Sequence, residues 1–167
     1  KNTFLRGFCE PEKIELFLAL GADVNAPSSC TKRDVWGFGQ STACGRTLLH
    51  VILEHNISEG ADMRRHGYQK GLKDLNKKTS KSLNIAINAG ADLNAMTECG
   101  YTPLHHAAET SPEHVMILLK AGADPKTKLK YKPSYCSKIK TPLALATISG
   151  NLKGTKAYSA LSDATYK

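Results

Sequence analysis

Residues 100–125, GYTPLHHAAETSPEHVMILLKAGADP, constrain the fold of this chain more than any other stretch. They write two helices. Thr102 is placed to cap the first, and Pro103 suits the opening helical position, where no donor is needed. Leu104, Ala107 and Ala108 then recur at helical spacing on one face. Ser111 and Pro112 repeat the same start for a second helix, whose apolar stripe is Val115, Leu118 and Leu119. Gly122 stands where a left-handed residue ends a helix. Helices this short do not persist in water, so each must be covered by neighbours. The rest of the chain has to supply them.

It does so by partial repetition. Gly-Ala-Asp recurs at Gly21, Gly60, Gly90 and Gly122, and Thr-x-Leu at Thr47, Thr102 and Thr141. Gly90 and Gly122 are 32 positions apart, whereas the other spacings are stretched. In this setting Thr102-Pro103-Leu104-His105-His106-Ala107-Ala108 resembles the Thr-Pro-Leu-His-x-Ala motif of the ankyrin repeat. The helix, turn, helix and Gly-Ala-Asp that follow keep the family's order. The resemblance implies a mainly α fold, an ankyrin-repeat solenoid of helix-turn-helix units with projecting β-hairpin loops. It also implies one domain over residues 1–167, with repeats at about 1–26 (partial), 27–95, 96–127 and 128–167, the last a polar cap.

In the first unit Pro11 opens a helix, Ile14, Leu16, Phe17, Leu18 and Leu20 supply apolar positions, and Gly21 ends it. Phe4, Leu5 and Phe8 would pack a shortened helix before it. With Lys1 at its start and an abbreviated first unit, the chain is expected to be a piece of a longer protein. Gly21 to Thr47 is 26 residues against 12 for the regular step Gly90 to Thr102, so residues 27–45 hold an elaborated hairpin. Trp36 and Phe38 are its only large apolar residues. Thr47 to Gly90 is 43 residues against 20 for Thr102 to Gly122, which places a second insertion at about 57–79, between the unit's two helices. Tyr68, Leu72, Leu75, Thr79, Leu83, Ala86 and Ile87 keep near-helical spacing, predicting a lengthened second helix from about Gln69 to Ala89. The Gly-Ala-Asp at Gly60 then falls inside the insertion by coincidence. The last unit opens at Thr141-Pro142-Leu143-Ala144, with alanine in place of histidine.

The net charge of +8 is concentrated in two segments: residues 64–81 carry +6 and residues 120–140 another +6, leaving −4 elsewhere. Lys126, Lys128, Lys130 and Lys132 alternate with Thr127, Leu129 and Tyr131, a strand period that would set four lysines on one hairpin face. They are either contacts for an anionic partner or solvated charges that keep an irregular array soluble. Nucleic acid ranks behind protein as a partner, because the two basic segments would lie at opposite edges of an ankyrin array rather than along one stripe.

No apolar run approaches a membrane span, and no signal-peptide pattern opens the chain. Five cysteines form an odd set without C-x-x-C spacing, so a reduced intracellular setting, cytosol or nucleus, is expected. Cys30, Cys44 and His50 lack the fourth ligand and the close pairing of a structural zinc site. Cys44 matches no thiol-enzyme motif, and Gly37-Phe38-Gly39 lacks the lysine of a phosphate-binding loop. No catalytic, cofactor or metal residue is therefore assigned, and the chain is not expected to be an enzyme.

The remaining expectations come from the resemblance. The family's motif histidine, here His50 and His105, hydrogen-bonds backbone and fixes the loop between neighbouring units. Hairpin tips and outward first-helix positions vary among ankyrin proteins to suit their partners. Carried onto the regular unit, these are Met96, Glu98, Cys99, Tyr101, His106 and Glu109, none of them needed by the core. Trp36 either packs on its own repeat or stands on the same edge as an anchor. The implied function is protein binding by a monomer, through the concave face of hairpin tips and first helices. The alternative is a domain that positions substrate or nucleic acid for a larger enzyme. Irregular repeats with long insertions also resemble ankyrin proteins that intracellular bacteria deliver into host cells, which would place this chain in a host cell.

Overall fold

The computed structural model describes residues 9–28, 45–97, 100–129 and 141–166. Within them run seven helices: α1 (Pro11–Ala19), α2 (Leu48–Arg65), α3 (Gln69–Asn88), α4 (Pro103–Thr110), α5 (Pro112–Ala121), α6 (Pro142–Ser149) and α7 (Lys156–Tyr166). Capping chemistry sets several of the starts. Pro occupies the first turn of α1, α4, α5 and α6, and Ser111 and Thr141 accept hydrogen bonds from the backbone of Glu113 and Ala144. Gly122 ends α5 at φ 101°, a conformation that any side chain would strain.

The helices form two layers. α2, α4 and α6 lie side by side in one, α1, α3, α5 and α7 in the other, and α2, α4 and α6 pack on α3, α5 and α7 respectively. Between the layers Leu49, Ile52 and Leu53 of α2, Leu83 of α3, Leu104, Ala107 and Ala108 of α4, Val115 and Leu118 of α5, and Leu161 of α7 are buried. The expected stripe of the regular unit is thus its core, except that Leu119 is only partly covered. In α1 the stripe is narrower than expected: Ile14 is buried, but Leu16 and Leu20 are 57 % and 74 % exposed. The reason is position, since α1 packs mainly on α3 among the described helices.

The second insertion is shared between both helices of its unit. α2 has 18 residues and α3 has 20, against 8 and 10 in α4 and α5. The sequence pattern anticipates the long α3 but not the equal lengthening of α2. Gly60 lies within α2, where a β-carbon would stand 3.3 Å from Leu72 Cδ1, so it serves helix–helix contact rather than a turn. The pair closes through Gly67 at φ 73°.

The projecting β-hairpin loops are not found: the described residues contain no strand. Side chains take the place of the ladder. Asp23, Asp92 and Asp124 accept from the backbone N–H two residues on, at 2.8, 2.9 and 2.8 Å, and such local bonds compete with strand pairing. Asn25 then bridges to the next unit, donating to the Gly90 carbonyl at 3.1 Å and accepting from Asp92 N–H at 2.7 Å. Asn94 accepts likewise from Asp124 N–H at 2.8 Å. Lys126 stands at the next such position, and Lys126–Leu129 is not extended into a strand. Thr97 N–H donates to the Tyr101 carbonyl at 2.9 Å, and Tyr101 N–H donates to the Thr97 hydroxyl at 3.1 Å.

Candidate partner-binding face

Three threonines set a common register. Thr47, Thr102 and Thr141 precede α2, α4 and α6, so equal offsets from them occupy equivalent places on the first-helix layer. At the third offset stand His50 and His105. His50 Nδ1 accepts from Thr47 N–H at 3.2 Å, which leaves the ring proton on Nε2, and Nε2 donates to the Tyr101 carbonyl at 3.0 Å. One imidazole therefore caps its own helix and holds the lead-in to the next. Burial pushes its pKa down to about 4, so the ring is neutral at physiological pH. His105 Nδ1 accepts from Thr102 N–H in the same way, at 3.2 Å.

His106 is not outward-facing. It is only 7 % exposed, with its ring 5.4 Å from Tyr101 in a stacked arrangement and 5.6 Å from His50 edge-on. Its Nε2 lies 3.7 Å from Glu54 Oε1 without a hydrogen-bond partner. Burial, then the neighbouring His50, His105 and Arg46, push its pKa down to about 3. The expectation that the core needs none of these side chains fails here, because α2 on one side and Tyr101 above close over the position. Tyr101 itself is half-buried and also meets His105 edge-on at 5.8 Å. Met96 is exposed on the loop before it. Glu98, Cys99, Trp36, Lys130 and Lys132 lie outside the described residues.

Glu109 is half-buried near the end of α4, and burial raises its carboxyl pKa with no cation among the described residues to oppose it. Its equivalents, seven residues after Thr47 and Thr141, are Glu54 and Ile148. Glu54 is bound by Arg46, which offsets part of the rise that burial causes. Ile148 is 66 % exposed. Glu54, Arg46 and Ile148 escaped the reading of the regular unit alone; aligning the three threonines would have found them. Lys126 and Lys128 are elsewhere, on a groove of about 560 Å³ with Thr141, Thr147, Tyr158 and Tyr166.

Cys9 is buried, its Sγ 3.7 Å from the Val51 carbonyl, and burial pushes its thiol up to about 12, the opposite of an activated nucleophile. Among the described residues no group of three or more His, Cys, Asp or Glu is placed to hold a metal. No described helix is long and apolar enough to cross a membrane.

Two layers of paired helices in a shared register define a helical repeat protein, and its scaffold carries no catalytic motif among the described residues. A sequence profile of ankyrin repeats, in three copies, matches residues 72–157, just over half of the chain. The chain belongs to the ankyrin-repeat family. No curated protein matches it.

Proposed function

We propose that the chain is a protein-binding module whose partner lies on the first-helix layer and its loops. The contact residues would be Met96, Tyr101 and Glu109, with Arg46, Glu54 and Ile148 extending the row on either side. His106 supports Tyr101 and Glu54 from beneath. Glu98, Cys99 and Trp36 belong to the same proposal by their place in the sequence. The observation that carries it is the placing of Glu109 on the first-helix layer, a half-buried carboxylate whose pKa burial raises and which pairs with no cation among the described residues. Such a group is costly alone and gains from a donor brought by a partner. Lys126 and Lys128 would favour an acidic stretch of the same partner at the far end.

Affinity capture from a cell lysate with mass spectrometry supplies candidate partners, and the variants then test the face. Glu109→Gln and Met96→Ala are expected not to lower thermal stability, Glu109→Gln raising it slightly at neutral pH, and together to weaken binding about tenfold or more. Unchanged affinity for every captured protein would remove this face from the account.

A further inference from the structure

The paired helices α2 and α3 run on past the repeat frame, and the frame has no use for their far end. Arg64, Arg65, His66, Gly67, Tyr68, Gln69 and Lys70 are all exposed there. Tyr68 is 65 % exposed, yet its ring is not loose: it stacks on His66 with centroids 6.0 Å apart and planes 19° from parallel. The His66 side chain is itself 52 % exposed and is anchored by Nδ1 to the Asp62 carbonyl at 2.9 Å. A flat aromatic pair is thus held open to solvent at the tip.

Behind it lies a row of cations. Lys70, Lys73, Lys77 and Lys81 are exposed on α3 at spacings of three or four residues, so they share one helical face, and Lys78 is exposed beside it. From Lys70 to Lys81 the row is about 16 Å long. The local acids leave part of it uncommitted. Asp62 takes Arg65 at 3.7 Å, Glu12 takes Lys81 at 3.3 Å, and Asp74 shares the face. Lys70, Lys73 and Lys77, nearest the tip, form no ion pair among the described residues. Stacked aromatics beside a track of lysines are what an unpaired nucleotide strand requires: a π-face for a base and cations for successive phosphates. An anionic membrane fits less well, because Tyr68 is the tip's only exposed large apolar side chain.

We infer that the tip of the α2–α3 pair binds single-stranded nucleic acid, one base stacking on Tyr68 while Lys70, Lys73, Lys77 and Arg64 follow the backbone. The site is separate from the protein-binding face proposed above and does not depend on it.

Fluorescence anisotropy with a labelled twelve-nucleotide oligo-dT, and with poly-glutamate and phosphatidylserine vesicles as competitors, tests this on the 167-residue chain. Four phosphate contacts predict a log–log salt slope of about −3 for the single strand. Tyr68→Ala should weaken binding about tenfold and leave that slope unchanged. Lys70→Gln, Lys73→Gln and Lys77→Gln together should reduce the slope by about 2. Circular dichroism and thermal melting confirm that these surface variants remain folded. The inference is overturned if oligo-dT does not bind at low salt, or if Tyr68→Ala binds like the parent. It is overturned equally if poly-glutamate or the vesicles displace the oligonucleotide at matched charge concentration, since the tip would then be reading charge alone.

Discussion

The α4–α5 pair and the α2–α3 pair are built on the same plan and end in opposite conditions. In α4 every residue but Glu109 is buried, because α2, α6 and α5 cover it on three sides. At the far end of α2 and the start of α3 nearly every residue from Ala61 to Lys70 is exposed. Short helices survive in the first case only because neighbours supply what two turns cannot. The longer ones in the second support each other through Gly60 against Leu72 and Gly71 against Met63. Residues in the frame are thus fixed by packing, and residues at the tip are left for other work.

The largest expected effect contrasts the two directly. Leu118→Ala removes a fully buried side chain from between the layers and should destabilise by about 2–5 kcal/mol in chemical denaturation. The same truncation at Leu72, half-buried near the tip, should cost about 1 kcal/mol or less. Equal losses would mean that the tip is as integral as the frame.

A smaller effect comes from protons. His50, His106 and His114 have their pKa values lowered in the folded chain, all three first by burial, and His50 and His106 to about 4 and about 3. His50 and His106 are neutral in the folded chain above those values, and all three rings protonate near pH 6.5 when unfolded. Stability from these rings is therefore complete above about pH 6.5 and lost as pH falls toward the folded values. The raised carboxyls of Glu54 and Glu109 act in the opposite sense at acid pH, where the folded state holds their protons better. At pH 5 His50 and His106 by themselves would make unfolding take up about two protons, and the raised carboxyls reduce that uptake. Denaturation midpoints measured from pH 7 to pH 5 check this. A flat profile would contradict the buried network.

What was legible in the sequence follows the same division. The Thr-Pro starts, the apolar stripes and Gly122 specify α4 and α5 because local rules and packing agree there. The period of α3 was readable over its whole length. The lengthening of α2 is not, since Ser58, Glu59, Asp62, Arg64 and Arg65 show no apolar spacing, and the helix meets its partner there through Gly60 and Met63 rather than a core stripe. The hairpins misled because alternation of Lys126, Lys128 and Lys130 suits a strand, while Asp124 was already committed to bonding Lys126 N–H. At the candidate site His106 looked variable and outward. Its burial depends on Tyr101 and Glu54, and the second of these is 52 positions away in the sequence.

Hydrogen exchange of the whole chain, followed peptide by peptide, tests the separation of frame and tip most directly. Backbone amides in 103–121 should exchange only through global unfolding, and those in 61–72 through local opening, faster by about a hundredfold or more. Protection of 61–72 equal to that of 103–121 would contradict the account, because the far end of the helical pair would then be part of the cooperative core.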